Sequence, residues 1–320
     1  MPLLSTDSLS IGYIHRGQKV EVQKDLKLSI NPGELICLIG PNGTGKSTLL
    51  KTLSGLLKPL QGKTIIDKTD ITSIAVSERA QLISLVLTDR IDIENATVQS
   101  VVAMGRMPYS NWWGKPSGED EQMIWNAVKM VHLEHKIYTL LSELSDGEKQ
   151  RVMIAKAFVQ DTPLIFLDEP TAHLDLPNRV EILLLLHRMA HENGKAILMS
   201  THELDMALQA ADSIWLMTQT GVRTGVPEDL VLNGIFSDAF LSQHYFFNPT
   251  NGNFSMNYNL TRQVEVHGDK TRMYWTLRAL ARAGYAAVEK ADKSIVIEND
   301  KWIYDHKAYP TIGALLEMLK

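Results

Sequence analysis

The segment Gly40-Pro41-Asn42-Gly43-Thr44-Gly45-Lys46-Ser47 has three glycines in its first six residues and then a lysine and a serine. An unbroken apolar run, Leu35–Ile39, precedes it, and leucines at helical spacing follow between residues 46 and 57. This order predicts a β-strand, a glycine-rich turn and an α-helix. Glycines let such a turn curl until successive backbone N–H groups point inward, beside the positive end of the helix dipole. The segment therefore predicts a site for a strongly anionic group.

The same segment matches the P-loop pattern of nucleotide-binding enzymes, and its strand and helix neighbours match too. Lys46 is expected to reach the β- and γ-phosphates of ATP, and the Ser47 hydroxyl to ligate Mg²⁺. The alternative, a glycine-rich turn that binds nothing, is disfavoured by the flanking elements. The predicted nucleotide-binding residues here are Gly40, Pro41, Asn42, Gly43, Thr44, Gly45, Lys46, Ser47 and Thr48.

A second chemical feature is the acidic end of the run Leu164-Ile165-Phe166-Leu167-Asp168-Glu169. In a parallel sheet the carboxyl end of this strand opens beside the P-loop. Asp168 is suited to hold Mg²⁺ through water, and Glu169 to act as general base toward the attacking water. An acidic pair at a strand end can also be a solvated loop start, so the prediction depends on the P-loop upstream.

The run Leu144-Ser145-Asp146-Gly147-Glu148 resembles the Leu-Ser-Gly-Gly-Gln signature of ABC ATPases. Ser145 and the Gly147 N–H, at a helix N-terminus, can make a second phosphate-binding site. The resemblance implies that Ser145, Gly147 and Glu148 complete the ATP site of a partner subunit. A plain N-cap with an acidic first turn is the alternative explanation.

Three further positions fall in the order of that family. Tyr13 stands where the family stacks an aromatic ring on adenine, Asp175 where a residue crosses the dimer interface, and His202 where a histidine contacts the γ-phosphate. The resemblance covers roughly residues 3 to 245. It implies ATP and Mg²⁺ as cofactors, catalysis by Lys46, Glu169 and His202, and a head-to-tail dimer of two copies.

The chain departs from the family at a few of these places. Asp146 and Glu148 replace the usual Gly and Gln, which adds negative charge near a γ-phosphate. Where the family has a glutamine that contacts Mg²⁺, this chain has Thr88-Asp89. The Thr88 hydroxyl reaches roughly 2–3 Å less far than a glutamine oxygen, more than an Mg–O bond can absorb. We therefore predict that Thr88 acts through a bridging water and that Asp89 faces away from the metal.

Apolar strands alternate with helices along the chain, which indicates an α/β fold with a parallel sheet buried on both faces. We predict an ABC ATPase domain over residues 1–250, with a helical subdomain at about 90–160. A small α/β appendage is predicted over residues 260–320. Its role, whether regulation, dimer contact or stability, stays open.

The segment from Thr97 to Tyr109 is similar to ATPases of importers for iron–siderophores, haem and cobalamin. That resemblance implies two integral-membrane permease subunits as partners and, indirectly, a substrate-binding protein. A soluble ABC ATPase, such as an iron–sulfur assembly factor, and an exporter ATPase are the alternatives. Since no residue of the cassette contacts the cargo, the substrate class depends on analogy alone.

Bulk composition limits the remaining possibilities. A net charge of −5 and a pI near 6.1 give no reason to expect nucleic-acid binding. The single cysteine, Cys37, lies in an apolar run and is expected to be buried. Neither a secretion signal nor an apolar run of about 18 residues is present in the sequence. We therefore expect a peripheral protein on the cytoplasmic face of the cell membrane, docked on its permease.

Overall fold

The computed structural model describes residues 1–88, 93–109 and 117–319. The chain forms two compact units. The first consists of Met1–Phe240 and Pro249–Asn253, and the second of Leu241–Asn248 and Phe254–Lys320. The domain ranges 1–250 and 260–320, inferred from the sequence, stay predictions.

The first unit contains eleven strands and nine α-helices among its described residues. The strands are β1 Leu4–His15, β2 Gln18–Leu26, β3 Ser29–Ile30, β4 Leu35–Ile39, β5 Gln61–Ile66, β6 Thr69–Asp70, β7 Ile83–Val86, β8 Leu164–Asp168, β9 Ala196–Ser200, β10 Ser213–Thr218 and β11 Gly221–Gly225. The helices are α1 Lys46–Leu53, α2 Val76–Arg79, α3 Val98–Ala103, α4 Gly118–Met130, α5 Asp146–Val159, α6 Leu176–His191, α7 Leu204–Ala210, α8 Pro227–Leu232 and α9 Ile235–Ala239.

The larger sheet of this unit has the strand order β11-β10-β4-β9-β8-β7. Strands β10, β4, β9, β8 and β7 are parallel, and β11 closes one edge antiparallel to β10. Every residue of β4, β8 and β9 is buried, as expected for strands covered on both faces. The predicted α/β fold is thus confirmed. Because these strands run the same way, their carboxyl ends meet at one edge.

A second sheet in the same unit is antiparallel, with the order β2-β1-β5-β6 and β3 paired to β1. One hydrophobic core joins the inner faces of both sheets to helix α1, including Leu9, Leu38, Leu49 and Trp215. The glycine-rich turn follows β4, which is buried in this core. Packing of the two sheets and of α1 therefore fixes the position of the turn.

Two predicted elements are shorter than their sequence patterns. The helix that begins at Lys46 ends at Leu53 rather than at residue 57, because Gly55 takes a left-handed backbone conformation with φ +73°. The sequence pattern from Leu26 to Ile30 predicts one strand, but Leu26 ends β2 and only Ser29–Ile30 forms the next strand. The Leu28 N–H donates instead to the Thr6 hydroxyl, at 2.8 Å, so a side chain interrupts the backbone ladder there.

Within residues 93–109 and 117–159, helices α3, α4 and α5 pack on one another. The 3₁₀ turn Met104–Tyr109 follows α3 and approaches α5 closely at Gly105, where a Cβ would lie 2.3 Å from the Lys156 carbonyl oxygen. Arg106 Nε donates to Asp120 Oδ1 at 2.6 Å and so connects this turn to the start of α4. The segment from Thr97 to Tyr109, which resembles importer ATPases, thus packs against both α4 and α5.

The second unit contains the strands β12 Tyr245–Asn248, β13 Asn253–Met256, β14 Arg262–His267, β15 Tyr285–Ala287, β16 Ser294–Glu298, β17 Lys301–Tyr304 and β18 Lys307–Tyr309, with the helices α10 Lys270–Arg282 and α11 Ile312–Leu319. Its five-stranded sheet has the order β15-β14-β16-β17-β18. Both helices pack against this sheet around a separate core that includes Val264, Leu280, Ile295 and Leu315.

Candidate functional site

The turn between β4 and α1 depends on glycine at two positions. Gly40 has φ +149°, and a Cβ there would lie 2.1 Å from the Met217 carbonyl oxygen. Gly45 has φ +103° and caps α1, where a Cβ would lie 2.2 Å from Val22 Cγ1. Any larger residue would clash and be strained at both places, so this backbone path requires glycine.

Lys46 is the first residue of α1, and its side chain is buried beneath the turn. Its Nζ donates to the carbonyl oxygens of Gly40, at 2.8 Å, and Pro41, at 3.3 Å. Burial lowers the pKa of Lys46 below its usual value, and the nearby charges of Glu169 and Asp168 oppose that shift. The ammonium therefore lies inside the turn, where a bound anion would meet it.

Asp168, at the end of β8, is almost fully buried, and two hydroxyls converge on its Oδ1. Ser200 Oγ donates to this oxygen at 2.6 Å and Ser47 Oγ at 3.3 Å. Asp168 and Ser200 are paired across strands β8 and β9, so both side chains leave the same sheet edge. The strand order thus brings the carboxylate onto the first turn of α1.

Glu169 follows Asp168 with φ +52°, an uncommon backbone conformation for a residue with a side chain. Its N–H donates to Ser200 Oγ at 2.9 Å, and its Oε1 lies 2.6 Å from His202 Nε2. Both side chains are partly exposed, Glu169 at 28% and His202 at 44%. A carboxylate and an imidazole therefore lie in contact at the open side of the cluster.

Thr88 lies just beyond β7, beside Asp168. Its hydroxyl donates to the backbone carbonyl oxygen of Asp168 at 2.9 Å. The prediction that Thr88 makes no direct bond to a metal stays a prediction, since a hydroxyl that donates its proton still has oxygen lone pairs for a cation. Asp89, the other half of that prediction, lies outside the described residues.

The signature residues form a second group, at the start of α5. Ser145 is the N-cap, and its hydroxyl accepts from the Glu148 N–H while the Glu148 carboxylate accepts from the Ser145 N–H. At Gly147 an added Cβ would lie 2.9 Å from the Asn178 side-chain amide. That amide donates to Asp175 Oδ1, and Asp175 is the N-cap of α6. Asn178 thus connects two helix N-termini that the sequence analysis assigned to one interface.

The remaining predicted residues lie in the same unit and differ in exposure. Tyr13, on β1, is 48% exposed, and Asn42 and Gly43 are exposed at the tip of the turn. Thr44 is buried and its hydroxyl donates to the Pro41 carbonyl oxygen at 2.9 Å. Thr48 is half-buried, and its carbonyl oxygen accepts from Thr52 Oγ1. These placements leave the tip and the tyrosine ring open to a ligand.

Sequence reasoning missed three residues that hold these groups in place. Gln23, buried on β2, donates to the carbonyl oxygens of Thr44, at 3.2 Å, and Thr218, at 2.6 Å. The second is Ser200, described above. The third is Lys136, whose Nζ lies 2.6 Å from Glu148 Oε1. Only Ser200 had a signal in the sequence, as a polar residue that ends an apolar strand shortly before His202.

The oxygen pair of Ser47 and Asp168 fits a small hard cation. Mg²⁺ takes oxygen ligands in octahedral geometry with bonds of about 2.1 Å, so neighbouring ligands are about 3 Å apart. The two side-chain oxygens are 3.3 Å apart. A hydroxyl and a carboxylate on different elements could therefore share one such ion with water.

The comparisons with known proteins agree with this geometry. The family described as ABC transporter matches residues 23–172, and the family described as Iron ABC transporter C-terminal domain matches residues 261–320. The chain is 36% identical over 265 residues to an ABC transporter ATP-binding protein of Methanocaldococcus jannaschii, covering 82% of this chain and 90% of that protein. It is 35% identical over 241 residues to the iron(3+)-hydroxamate import ATP-binding protein of Bacillus subtilis, covering 75% and 88%.

The fold is also similar to a solved ABC cassette dimer in a post-hydrolysis state bound to ADP and phosphate. The TM-score is 0.62 and the identity 27%, over 70% of this chain and 98% of that chain. Within the described residues of the present protein, no helix has the length and apolarity needed to cross a bilayer. Taken with the P-loop, the acidic strand end and the signature, these similarities show that the chain belongs to the ABC transporter family of ATP-hydrolysing, ATP-binding proteins.

Proposed function

We propose that this chain hydrolyses ATP to drive import of an iron–siderophore, haem or cobalamin-type substrate through a membrane permease. The hydrogen-bonded set of Ser47, Asp168, Ser200, Glu169 and His202 at the end of the P-loop is the observation that carries the hydrolytic part. The iron-type substrate class is supported by the Bacillus subtilis relative and by the C-terminal match over residues 261–320.

In this proposal the P-loop neutralises the triphosphate. The backbone N–H groups of the turn, the N-terminus of α1 and the buried Lys46 ammonium all supply positive potential at one place. Ser47 and Asp168 would hold Mg²⁺, which would supply further positive charge to the phosphates. Ser200 orients Asp168, because its hydroxyl donates to the carboxylate at 2.6 Å.

Glu169 serves as the general base. Its partly exposed carboxylate lies next to the metal-binding Asp168 and is held in place by the bond from its own N–H to Ser200. A carboxylate at this place can accept a proton from water as the water attacks the γ-phosphorus. His202 Nε2 lies 2.6 Å from Glu169 Oε1, so an N–H at Nε2 would orient the carboxylate.

Two copies of the chain act together, head to tail, and each completes the site of the other. Ser145, Gly147, Glu148 and Asp175 face the nucleotide of the partner, while Tyr13 stacks on adenine. Closure around two ATP molecules drives two permease subunits at the cytoplasmic face of the membrane, with a substrate-binding protein outside. The shared geometry of the two helix N-termini at Ser145 and Asp175 supports a common interface.

Reconstitution with a candidate permease of the same organism tests the proposal. Proteoliposomes are loaded with Mg-ATP, and uptake of a labelled iron–siderophore, haem and cobalamin is measured for the native chain and for Glu169→Gln as the matched inactive control. We expect uptake of one substrate by the native chain only. If the chain hydrolyses ATP but neither associates with a permease nor supports uptake of any of the three substrates, the transport proposal is overturned. Co-purification with soluble cluster-assembly proteins would favour the iron–sulfur alternative.

A further inference from the structure

Two histidines and one aspartate form a cluster away from the nucleotide site, which we name the His–Asp cluster: His187, His191 and Asp212. The two histidines lie on α6, and the aspartate directly precedes β10. One potential ligand atom from each residue lies within 4.8 Å of those of the other two. The described mechanism of hydrolysis uses none of the three.

Helix geometry brings the two imidazoles together. His187 and His191 are four residues apart, so they lie one turn apart on the same face of α6. Their ring centroids are 4.1 Å apart with an interplanar angle of 37°. Both side chains are exposed. The rings therefore need only small χ rotations to direct one nitrogen each toward a common point.

Asp212 is held in place by the backbone of β4. Its N–H donates to the Leu35 carbonyl oxygen at 2.9 Å, and its Oδ2 accepts from the Leu35 N–H at 2.8 Å. His191 Nε2 lies 3.1 Å from the same oxygen. A ligating carboxylate is commonly oriented by such an outer hydrogen bond, and here the bond comes from main chain that does not move with the side chain.

We propose that the His–Asp cluster binds one divalent transition-metal ion, with Zn²⁺ as the representative, through two imidazole nitrogens and one carboxylate oxygen. Imidazole nitrogens favour zinc, nickel, cobalt and copper over Mg²⁺, which prefers oxygen ligands. Zinc bonds to nitrogen and oxygen are about 2.0–2.2 Å long, so rotation of the two exposed rings closes the present spacing. Water completes the coordination.

This site is distinct from the one for Mg-ATP. Leu35 is the first residue of β4 and Ile39 the last, and the P-loop follows Ile39. The four steps between its five residues, at about 3.3 Å each, place the two ends of β4 about 13 Å apart. The His–Asp cluster therefore lies at the edge of the sheet opposite the phosphates, where a metal ion joins the end of α6 to the start of β10.

The test uses the full chain, freed of any affinity tag, without nucleotide. Zinc binding is measured by calorimetry and by competition with a chromogenic chelator, and Co²⁺ binding by its visible absorption. We expect one ion per chain, retained in millimolar Mg²⁺. Loss of one ligand, in His187→Gln or His191→Gln, is expected to weaken binding by about 10-fold or more. Zn²⁺ should raise the Tm of the native chain and raise that of these two variants less or not at all.

Asp212→Asn keeps the side chain's shape and its acceptor for the Leu35 N–H while it removes the charge. It should lose metal binding without losing its fold, which circular dichroism checks. His244→Gln, at an exposed histidine outside the cluster, is the control and should bind like the native chain. Absence of stoichiometric binding, or equal binding by the native chain and all three cluster variants, would overturn the proposal. None of these readouts depends on ATP hydrolysis or transport.

Discussion

Lys136 Nζ lies 2.6 Å from Glu148 Oε1, so the acidic residue of the signature is paired with a cation from the 3₁₀ turn Glu134–Lys136. Glu148 also accepts from the N–H and the hydroxyl of Ser145. The hydrogen bond from Lys136, followed by those from Ser145, lowers the pKa of the Glu148 carboxyl below its usual value. The extra charge that the sequence adds at this helix N-terminus is therefore locally compensated.

We expect Lys136→Met to weaken ATP-driven association of two chains, because the unpaired Glu148 charge would then face the partner's γ-phosphate. The loss should be about five-fold, which corresponds to about 1 kcal/mol. Adding Glu148→Gln should restore association, since glutamine keeps the capping bonds without the charge. Lys129→Met, on the exposed side of α4, is the control. Equal behaviour of Lys136→Met and the control would show that the pair has no such role.

Lys46→Ala should abolish hydrolysis, with a fall of at least about 100-fold in kcat. The change removes the ammonium inside the P-loop, whose bonds to the Gly40 and Pro41 carbonyl oxygens place it there. Lys51→Ala, an exposed residue on the same helix, should keep normal turnover. Phosphate release with Mg-ATP measures the turnover of both variants. Native-like turnover in Lys46→Ala would contradict the assignment of this loop as the phosphate site.

Glu169→Gln should bind ATP, hardly hydrolyse it, and accumulate a closed dimer. Glutamine keeps the contact with His202 but cannot accept a proton, so hydrolysis should fall by about 10²–10⁴-fold. Size-exclusion chromatography with Mg-ATP should show two chains together. A strictly monomeric profile with normal turnover is the result that contradicts Glu169 as the base.

Thr88→Val should leave the Mg²⁺ dependence of hydrolysis unchanged, because we predict that Thr88 is not a direct ligand; its hydroxyl donates to the Asp168 carbonyl oxygen. The variant should lose about 1 kcal/mol of stability, the value of one hydrogen bond, and Thr88→Ser should retain it. A Mg²⁺ midpoint raised about 10-fold in Thr88→Val would indicate a direct ligand. A structure with Mg-ATP bound would also place Asp89, which we predict to face away from the metal.

Asp120→Asn should destabilise the packing of α4 by about 1 kcal/mol at pH 7. The backbone hydrogen bond from Ser117, and then the bond from Arg106, lower the pKa of Asp120 below its usual 3.8. A lowered folded pKa means that this stabilisation is present above pH 3.8 and is lost as the pH falls through the folded value. Urea unfolding of both proteins from pH 7 to pH 3 measures the difference.

Glu119→Gln, in the same first turn of α4, is the control for this pH dependence. The difference in free energy of unfolding between Glu119→Gln and the native chain should not change with pH in the way that the difference for Asp120→Asn does. A difference between native and Asp120→Asn that stays constant down to pH 3 would mean that the ionised carboxylate is not what stabilises this corner.

The sequence alone determined the parts of this protein that depend on local physics. Glycine is required where φ is positive, as at Gly40 and Gly45, and a serine three residues before a glutamate predicts the N-cap found at Ser145. Apolar runs of four or five residues predicted the buried strands β4, β8 and β9. Each of these patterns is contained in a few neighbouring residues, so no knowledge of the chain's path is needed.

The tertiary structure alone decided which distant side chains meet. Ser47 and Asp168 are 121 residues apart, and the position of Ser200 on the Asp168 carboxylate follows from β9 lying between β4 and β8. The pairing of Lys136 with Glu148 and the meeting of α6 with Asp212 depend equally on packing. Strand order and helix docking are set by the apolar area buried over the whole core. Because the hydrophobic effect is non-directional, no single residue type in the sequence reveals which elements will pack together.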